Sequence, residues 1–191
     1  VLLDSNSNPL AHSIYKKRVN KSTDLLLGNK YALLDPNFSK ARSNLRKKNF
    51  KKPNILIFFG GIDLNEYTLQ AVEAVNMLDM NISSVDVVVG GSYANKKALR
   101  LLCKKYEFRL HIQTKKMYEL MANADISIGS GGSATWERCC VGLPSIVFAA
   151  AENQKDIIYH ASRKGLIFSP SNKESFNFFI RKHFISFIAN E

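Results

Sequence analysis

One unit recurs along this chain and limits what it can fold into: a short apolar run, closed by glycine and followed by a helical pattern. Ile55-Leu56-Ile57-Phe58-Phe59 ends at Gly60-Gly61. Val85 to Val89 ends at Gly90-Gly91, and Ala124 to Ile128 ends at Gly129-Ser130-Gly131-Gly132. The first run, continuous and apolar without polar alternation, marks a strand buried on both faces, as parallel sheets demand, and the other two are read as further strands of the same sheet. Two further short strands are expected at Arg109 to Ile112 and Ser145 to Ala149, and a sixth at Leu166 to Phe168. Helical patterns fill the gaps. An amphipathic stretch runs to about Leu78, opened by Asp63-Leu64-Asn65-Glu66 with capping-box spacing. Others span Asn95 to Tyr106, Lys116 to Asn123, Ser133 to Val141 (stopped by Gly142 and Pro144), Asn153 to Lys164 and Lys173 to Ile188. Strands alternating with helices through short loops predict an α/β fold, a Rossmann-like parallel sheet with helices on both faces. The pattern leaves strand order open.

The first 50 residues read differently. Asn, Ser, Lys and Pro dominate, with apolar clusters only at Leu25 to Leu27 and Tyr31 to Leu34, and a turn at Asp35-Pro36. Arg42 to Lys52 has the composition of a linker, closed by Pro53. The expected division is therefore residues 1–52 as the remnant of an N-terminal domain with an interdomain linker, and residues 53–191 as the Rossmann-like domain. The chain opens on Val1-Leu2-Leu3-Asp4, with no initiator Met and no signal-peptide core, so a piece of a longer protein is expected. No run approaches 18 apolar residues, so stable membrane insertion is not expected.

The balance of 27 Lys+Arg against 16 Asp+Glu leaves a net charge of +11, which favours anionic partners. Much of it lies in Lys16-Lys17-Arg18 and Arg42 to Lys52, where aromatic residues do not interleave as a nucleic-acid platform requires. No nucleic-acid partner is expected. Three cysteines at 103, 139 and 140 are odd in number and lack metal-ligand spacing, which fits reduced thiols, a cytoplasmic location and no metal or cofactor.

In an open parallel sheet, ligands bind beyond the carboxyl ends of the strands, where the glycine turns here fall. Glycine lets backbone approach an anion, and the helix behind it offers unpaired N–H groups. Tight strand-to-helix turns explain the same glycines without a ligand. No G-x-G-x-x-G follows the first strand, no Gly-Lys-Ser/Thr exists, and Gly129 to Ser133 does not match G-x-S-x-G. Glu137 lies one turn into the helix that starts near Ser133. Its carboxylate could accept two hydrogen bonds from a ribose diol; alternatively it complements the helix dipole, worth ~0.3–1 kcal/mol. Glu152-Asn153-Gln154 follows the fifth strand, where polar side chains suit phosphate or sugar hydroxyls, or where Asn153 caps a helix. Trp136 reads as a packing residue. His12, His111, His160 and His183 form no motif of their own and read as structural or exposed; His160, on the helix after the fifth strand, has no acidic partner at triad-like spacing.

The run Gly129-Ser130-Gly131-Gly132-Ser133-Ala134-Thr135-Trp136-Glu137-Arg138-Cys139-Cys140, then Gly142-Leu143-Pro144-Ser145 and Ala151-Glu152-Asn153-Gln154, resembles the C-terminal half of the pseudaminic-acid-pathway hydrolases. These act on a UDP-linked 2,4-diacetamido-2,4,6-trideoxy sugar and are grouped with spore-coat polysaccharide biosynthesis proteins. Leu3 to Asn6, Leu27 to Leu34, Phe38, Arg42 and Phe59 to Asp63 fit the same pattern. The resemblance implies a GT-B-like architecture similar to the MurG-type glycosyltransferases, with UDP held by the C-terminal half. By motif, Gly60 and Gly61 approach the diphosphate, which Gly131, Gly132 and Ser133 line. Glu137 binds ribose, backbone near Gln113 and Thr114 pairs with uracil, and Asn153 and Gln154 reach phosphate or sugar. It further implies UDP release by water attack at the anomeric carbon, with inversion. The family's catalytic histidine lies in a glycine-rich loop near the N-terminus of the full enzyme, and none of the four histidines here fits it. The chain is thus expected to bind a UDP-sugar without catalysing, with Asn153 the one candidate for a catalytic part. A GT-B glycosyltransferase using a UDP-sugar donor and a non-catalytic sugar-nucleotide-binding module are the competing readings.

Overall fold

The computed structural model describes residues 1–6, 10–170 and 175–189, with side chains as far as Phe184. Within the segment expected to be irregular lie several short elements. Strands β1 (Leu2–Asp4) and β2 (Leu25–Leu27) pair in parallel, Leu2 against Leu25, and the crossover between them carries helix α1 (Ala11–Lys16). A single 3-10 turn at Asn29–Tyr31 leads to helix α2 (Pro36–Arg42). Asp35 caps α2 by accepting the Asn37 N–H at 2.8 Å, and Pro36 takes the first helical position, where its missing N–H costs nothing. Elements of three to seven residues are too short to show a period, which is why composition alone reads as loop.

The main sheet follows: β3 (Asn54–Phe58), β4 (Ser84–Val89), β5 (Arg109–Ile112), β6 (Ile126–Ser130) and β7 (Ser145–Phe148). All four pairings are parallel and the order is β5-β4-β3-β6-β7. The chain winds outward from β3 to one edge, then returns to β6 on its other side. That reversal places a crevice between the carboxyl ends of β3 and β6. Helices α3 (Tyr67–Asn76), α4 (Lys96–Lys105), α5 (Met117–Asn123), α6 (Ser133–Cys140), α7 (Lys155–Arg163) and α8 (Phe176–Ala189) complete the chain.

Alternation along the buried strands assigns the two faces. Ile55 and Ile57 of β3 join Val85, Val87, Ile126 and Ile128 in a core closed by α3, α4 and α8. Leu56 and Val88 point the other way, into a core with Phe38 of α2 and Met121 of α5. Trp136, Val147 and Ile158 form a third cluster between α6, α7 and the sheet, so Trp136 packs as expected.

Several boundaries differ from the sequence expectation. Strand β6 starts two residues later than Ala124 and takes in Gly129 and Ser130, and the helix expected from Asn153 is a 3-10 turn over Glu152–Gln154 with α7 starting at Lys155. The run Leu166 to Phe168 is not a strand: after Gly165 only Phe168 reaches the edge of the sheet, as a single bridge to Ile146. Asp63 and Glu66 form no reciprocal box. The Asp63 carboxylate accepts the Thr68 N–H at 2.7 Å and its hydroxyl at 2.6 Å, while Glu66 turns left-handed and accepts from Asn95 at 3.0 Å. The last helix starts at Phe176; Lys173, its expected start, lies outside the described residues.

The basic stretch 42–52 is fastened to the amino end of the sheet. Asp125, fully buried, accepts from Arg46 at 2.7 Å, from the Asn49 N–H at 2.8 Å and from the Asn54 N–H at 2.7 Å. Arg46 also donates to the Asn123 carbonyl, Lys48 to the Ala124 carbonyl and Arg42 to the Cys140 carbonyl. These cations satisfy the carbonyl ends of α5 and α6 as well as one buried carboxylate.

Candidate functional site

The sheet order brings the five strand ends into one rim. Gln113 after β5, Gly90-Gly91 after β4, Gly60-Gly61 after β3, Gly129 to Gly132 at the end of β6, and the loop after β7 follow one another across the carboxyl edge. Neighbouring turns touch. A Cβ on Gly90 would fall 2.3 Å from the Gly61 carbonyl oxygen, so the turns after β3 and β4 close up only with glycine there. The Ser130 hydroxyl lies 3.8 Å from where a Gly60 Cβ would be, which joins the turns after β3 and β6. Gly132, at φ +105, takes a backbone form that side chains disfavour, and it turns the chain into α6.

That turn leaves an anion site in outline. Gly132 is the N-cap of α6 and supplies no side-chain cap. The Gly131 N–H goes to the Phe148 carbonyl and the Thr135 N–H to Gly132. Among the described residues, the N–H groups of Gly132, Ser133 and Ala134 make no hydrogen bond. Three unpaired donors beside a positive helix end suit a phosphate group. Ser133 is exposed and Gly61 has open space around it, so both can be reached from outside.

Glu137 lies one turn further along α6, half-buried, with no hydrogen bond or ion pair among the described residues. Burial raises its carboxyl above the ordinary glutamate value; the neighbouring Arg138 charge pulls it back, and Asp35 at the start of α2 pushes it up again. A desolvated, unpaired carboxylate costs stability, which favours a ligand-binding role over simple dipole complementation.

At the β5 end, the Gln113 N–H is committed to the Val89 carbonyl at 2.9 Å. The Gln113 carbonyl and the Thr114 N–H make no hydrogen bond among the described residues and are the backbone groups left for a ligand there. At the β7 end, the Gln154 side-chain oxygen accepts the Ala150 N–H at 2.9 Å, which shapes the loop. Asn153 is exposed in the 3-10 turn Glu152–Gln154 and caps no helix. Asn65, in the turn before α3, donates to the Ala150 carbonyl at 3.3 Å and so links the loops on either side of the β6 turn. A cavity of about 820 Å³ adjoins this loop, bordered by Tyr67, Phe148, Ala149, Lys155 and Tyr159.

Sequence reasoning gave Arg138 no role, and met Asp35 and Asn65 only in a turn and in a capping pattern, not as neighbours of the rim. Arg138 has no solvent exposure, and burial lowers its guanidinium to about 10, with Cys139 and Glu137 opposing. Its one signal in the sequence is position: three residues after Thr135, it falls on the buried face of α6. The histidines keep to other places. His111 bonds Asp86 at 2.7 Å, His160 abuts the Tyr159 ring, and His183 packs on Phe179. Among the described residues, no group of three or more His, Cys, Asp or Glu could hold a metal, and no helix is long and apolar enough to cross a membrane.

The family model described as "Glycosyl transferases group 1" matches residues 41–184. The chain belongs to that family. The "Spore coat polysaccharide biosynthesis protein SpsG" of Bacillus subtilis (strain 168) is 30% identical over 138 residues, which cover 71% of this chain and 40% of that protein. The "Uncharacterized protein MJ1062" of Methanocaldococcus jannaschii is 30% identical over 135 residues, 68% of this chain and 28% of that protein. The chain thus spans less than half the length of either relative. Among solved structures, WaaG, "a glycosyltransferase involved in lipopolysaccharide biosynthesis", matches with TM-score 0.57 at 17% identity, covering 96% of this chain and 53% of WaaG. Acinetobacter baumannii MurG matches with TM-score 0.54 at 19% identity, covering 75% of this chain and 45% of that one. The group 1 domain therefore has the parallel-sheet Rossmann-like fold of GT-B glycosyltransferase C-terminal halves.

Proposed function

We propose that this group 1 domain binds the UDP moiety of a UDP-sugar, and that the protein it represents hydrolyses that donor in surface-polysaccharide or nonulosonate biosynthesis. The observation that carries the UDP reading is the pairing on one helix of three unpaired N–H groups at Gly132 to Ala134 with an unpaired, half-buried carboxylate one turn on. The N–H groups fit the diphosphate, with Gly60, Gly61 and Ser133 beside it, and Glu137 fits the ribose diol. Uracil pairs with the free backbone groups at Gln113 and Thr114. The sugar occupies the side of the rim near Asn153 and Gln154, where the cavity beside Lys155 and Tyr159 gives it room. The B. subtilis relative, by its name, supports the polysaccharide context. Three free cysteines go with a cytoplasmic location.

In this reading water attacks the anomeric carbon, UDP leaves with the bond's electron pair, and the rim stabilises the charge that develops on the diphosphate. Activation of the water falls to a group outside the rim. Transfer to an acceptor in place of water is the second reading, favoured by the family model itself. Calorimetric titration of the chain with UDP and uridine tests the site: saturable UDP binding that Glu137→Ala weakens supports it, and no heat at millimolar UDP rejects it. Incubating the protein with a UDP-diacetamido-trideoxyhexose separates the reactions, because free sugar in equal yield with UDP marks hydrolysis.

A further inference from the structure

Arg138 is a buried cation without an adequate partner. It is wholly inaccessible, and among the described residues only the N–H donors on Nη2 find an acceptor, the Ser130 carbonyl. Nε and Nη1 have no partner among the described residues. The guanidinium lies directly behind the β6 turn: a Cβ on Gly129 would come within 2.7 Å of Nη1. Thr135, on the same face of α6, and Ser127, two residues before Gly129 on β6, are fully buried with hydroxyls that also lack a partner among the described residues. No carboxylate forms an ion pair with Arg138 among the described residues, and Glu137, its neighbour in sequence, does not bond it. An unpaired buried charge costs stability that a hydrophobic residue of similar size would not, so a compensating role is called for.

We infer that Arg138 is a positioning residue for the diphosphate, a reading that rests on the UDP site proposed above. By holding the Ser130 carbonyl inward it fixes the turn from which Gly132, Ser133 and Ala134 present their N–H groups. Its charge, shielded from water behind Gly129, adds to the positive potential at the start of α6 and is answered by the ligand's negative charge. The selectivity it supplies is for phosphate: a diphosphate gains from the cation, whereas a bare nucleoside does not.

The test titrates the chain with UDP, UMP and uridine, in wild type, Arg138→Met and Arg138→Lys. Arg138→Met is expected to lower UDP affinity by about tenfold or more, through the lost charge behind the turn and the loosened Ser130 carbonyl, with uridine affinity held within about twofold. Arg138→Lys restores part of the difference. Equal loss for UDP and uridine, or no loss for either, overturns the inference and leaves the UDP site standing. Wild type that binds none of the three overturns both. If the variants do not fold, NMR of the Arg138 Nε–H in the wild type decides. The expected result is a shift and slower exchange with UDP but not with uridine, and an identical response to both overturns it.

Discussion

Glu137 and Asp86 show how environment divides two carboxylates of similar accessibility. Burial raises Glu137, and nothing among the described residues bonds it. Burial also opposes charge on Asp86, yet hydrogen bonds from Arg109 at 2.6 and 2.8 Å and from His111 at 2.7 Å hold its carboxyl below the ordinary value. The consequences for stability have opposite signs. Glu137 favours the folded state only while protonated, so its contribution is present below the ordinary value of 4.5 and is lost as pH rises through its raised folded value. Glu137→Gln should therefore melt higher than wild type at pH 7, at roughly 2–4 °C for each kcal/mol gained, with the gap closing towards pH 4. The same variant should bind uridine more weakly at pH 7, and wild-type uridine binding should fall as acid protonates Glu137; a flat profile would remove the carboxylate from the site. Asp86 acts in reverse: its contribution is present above 3.8 and lost as pH falls below it. Asp86→Asn should lose about 1 kcal/mol at pH 7, a figure kept small because Arg109 is largely exposed, and should show a flatter melting profile below pH 4.

At the level of elements, the strand-turn-helix units 53–163 were legible because each carries its own period and its own stop signal. Ile55 to Phe59 reads as a strand since every residue is apolar, and Gly60-Gly61 reads as the turn that closes it. The pairing Gly90 against Gly61 was not legible, because strand order decides which turns touch. Gly90→Ala should push the β4 turn from the β3 turn and weaken UDP binding while leaving the helices intact by circular dichroism. Of the candidate site, the glycines and Glu137 stood out by type and spacing. The division of labour on the β7 loop did not: that Gln154 bonds Ala150 while Asn153 stays free depends on loop geometry. Arg138 escaped notice because its position three residues after Thr135 marks a buried face only once Thr135 is known to be buried.

For the molecule as a whole, the basic excess that first suggested an anionic partner is partly internal. Arg46 and Lys48 serve Asp125 and the end of α5, at the opposite edge from the glycine rim, and burial holds Lys48 below the ordinary lysine value despite the Asp125 charge. Asp125→Ala strands the Asn49 and Asn54 N–H groups and is expected to cost about 2–4 kcal/mol, measured by urea denaturation. UDP affinity of the folded fraction should be little changed, since the clamp and the rim lie at opposite ends of β3.

That clamp bears on how such proteins can be recombined. Phe38 plugs the sheet beneath Leu56 and Val88, and Arg46, Asn49 and Asn54 converge on one carboxylate. A crossover placed at the change of composition near Pro53 would separate these partners and graft a half with a missing stopper and an orphaned acid. Chimaeras that exchange donor specificity should carry everything from Asp35 onward as a single cassette, and the joint belongs in the stretch between β2 and α2.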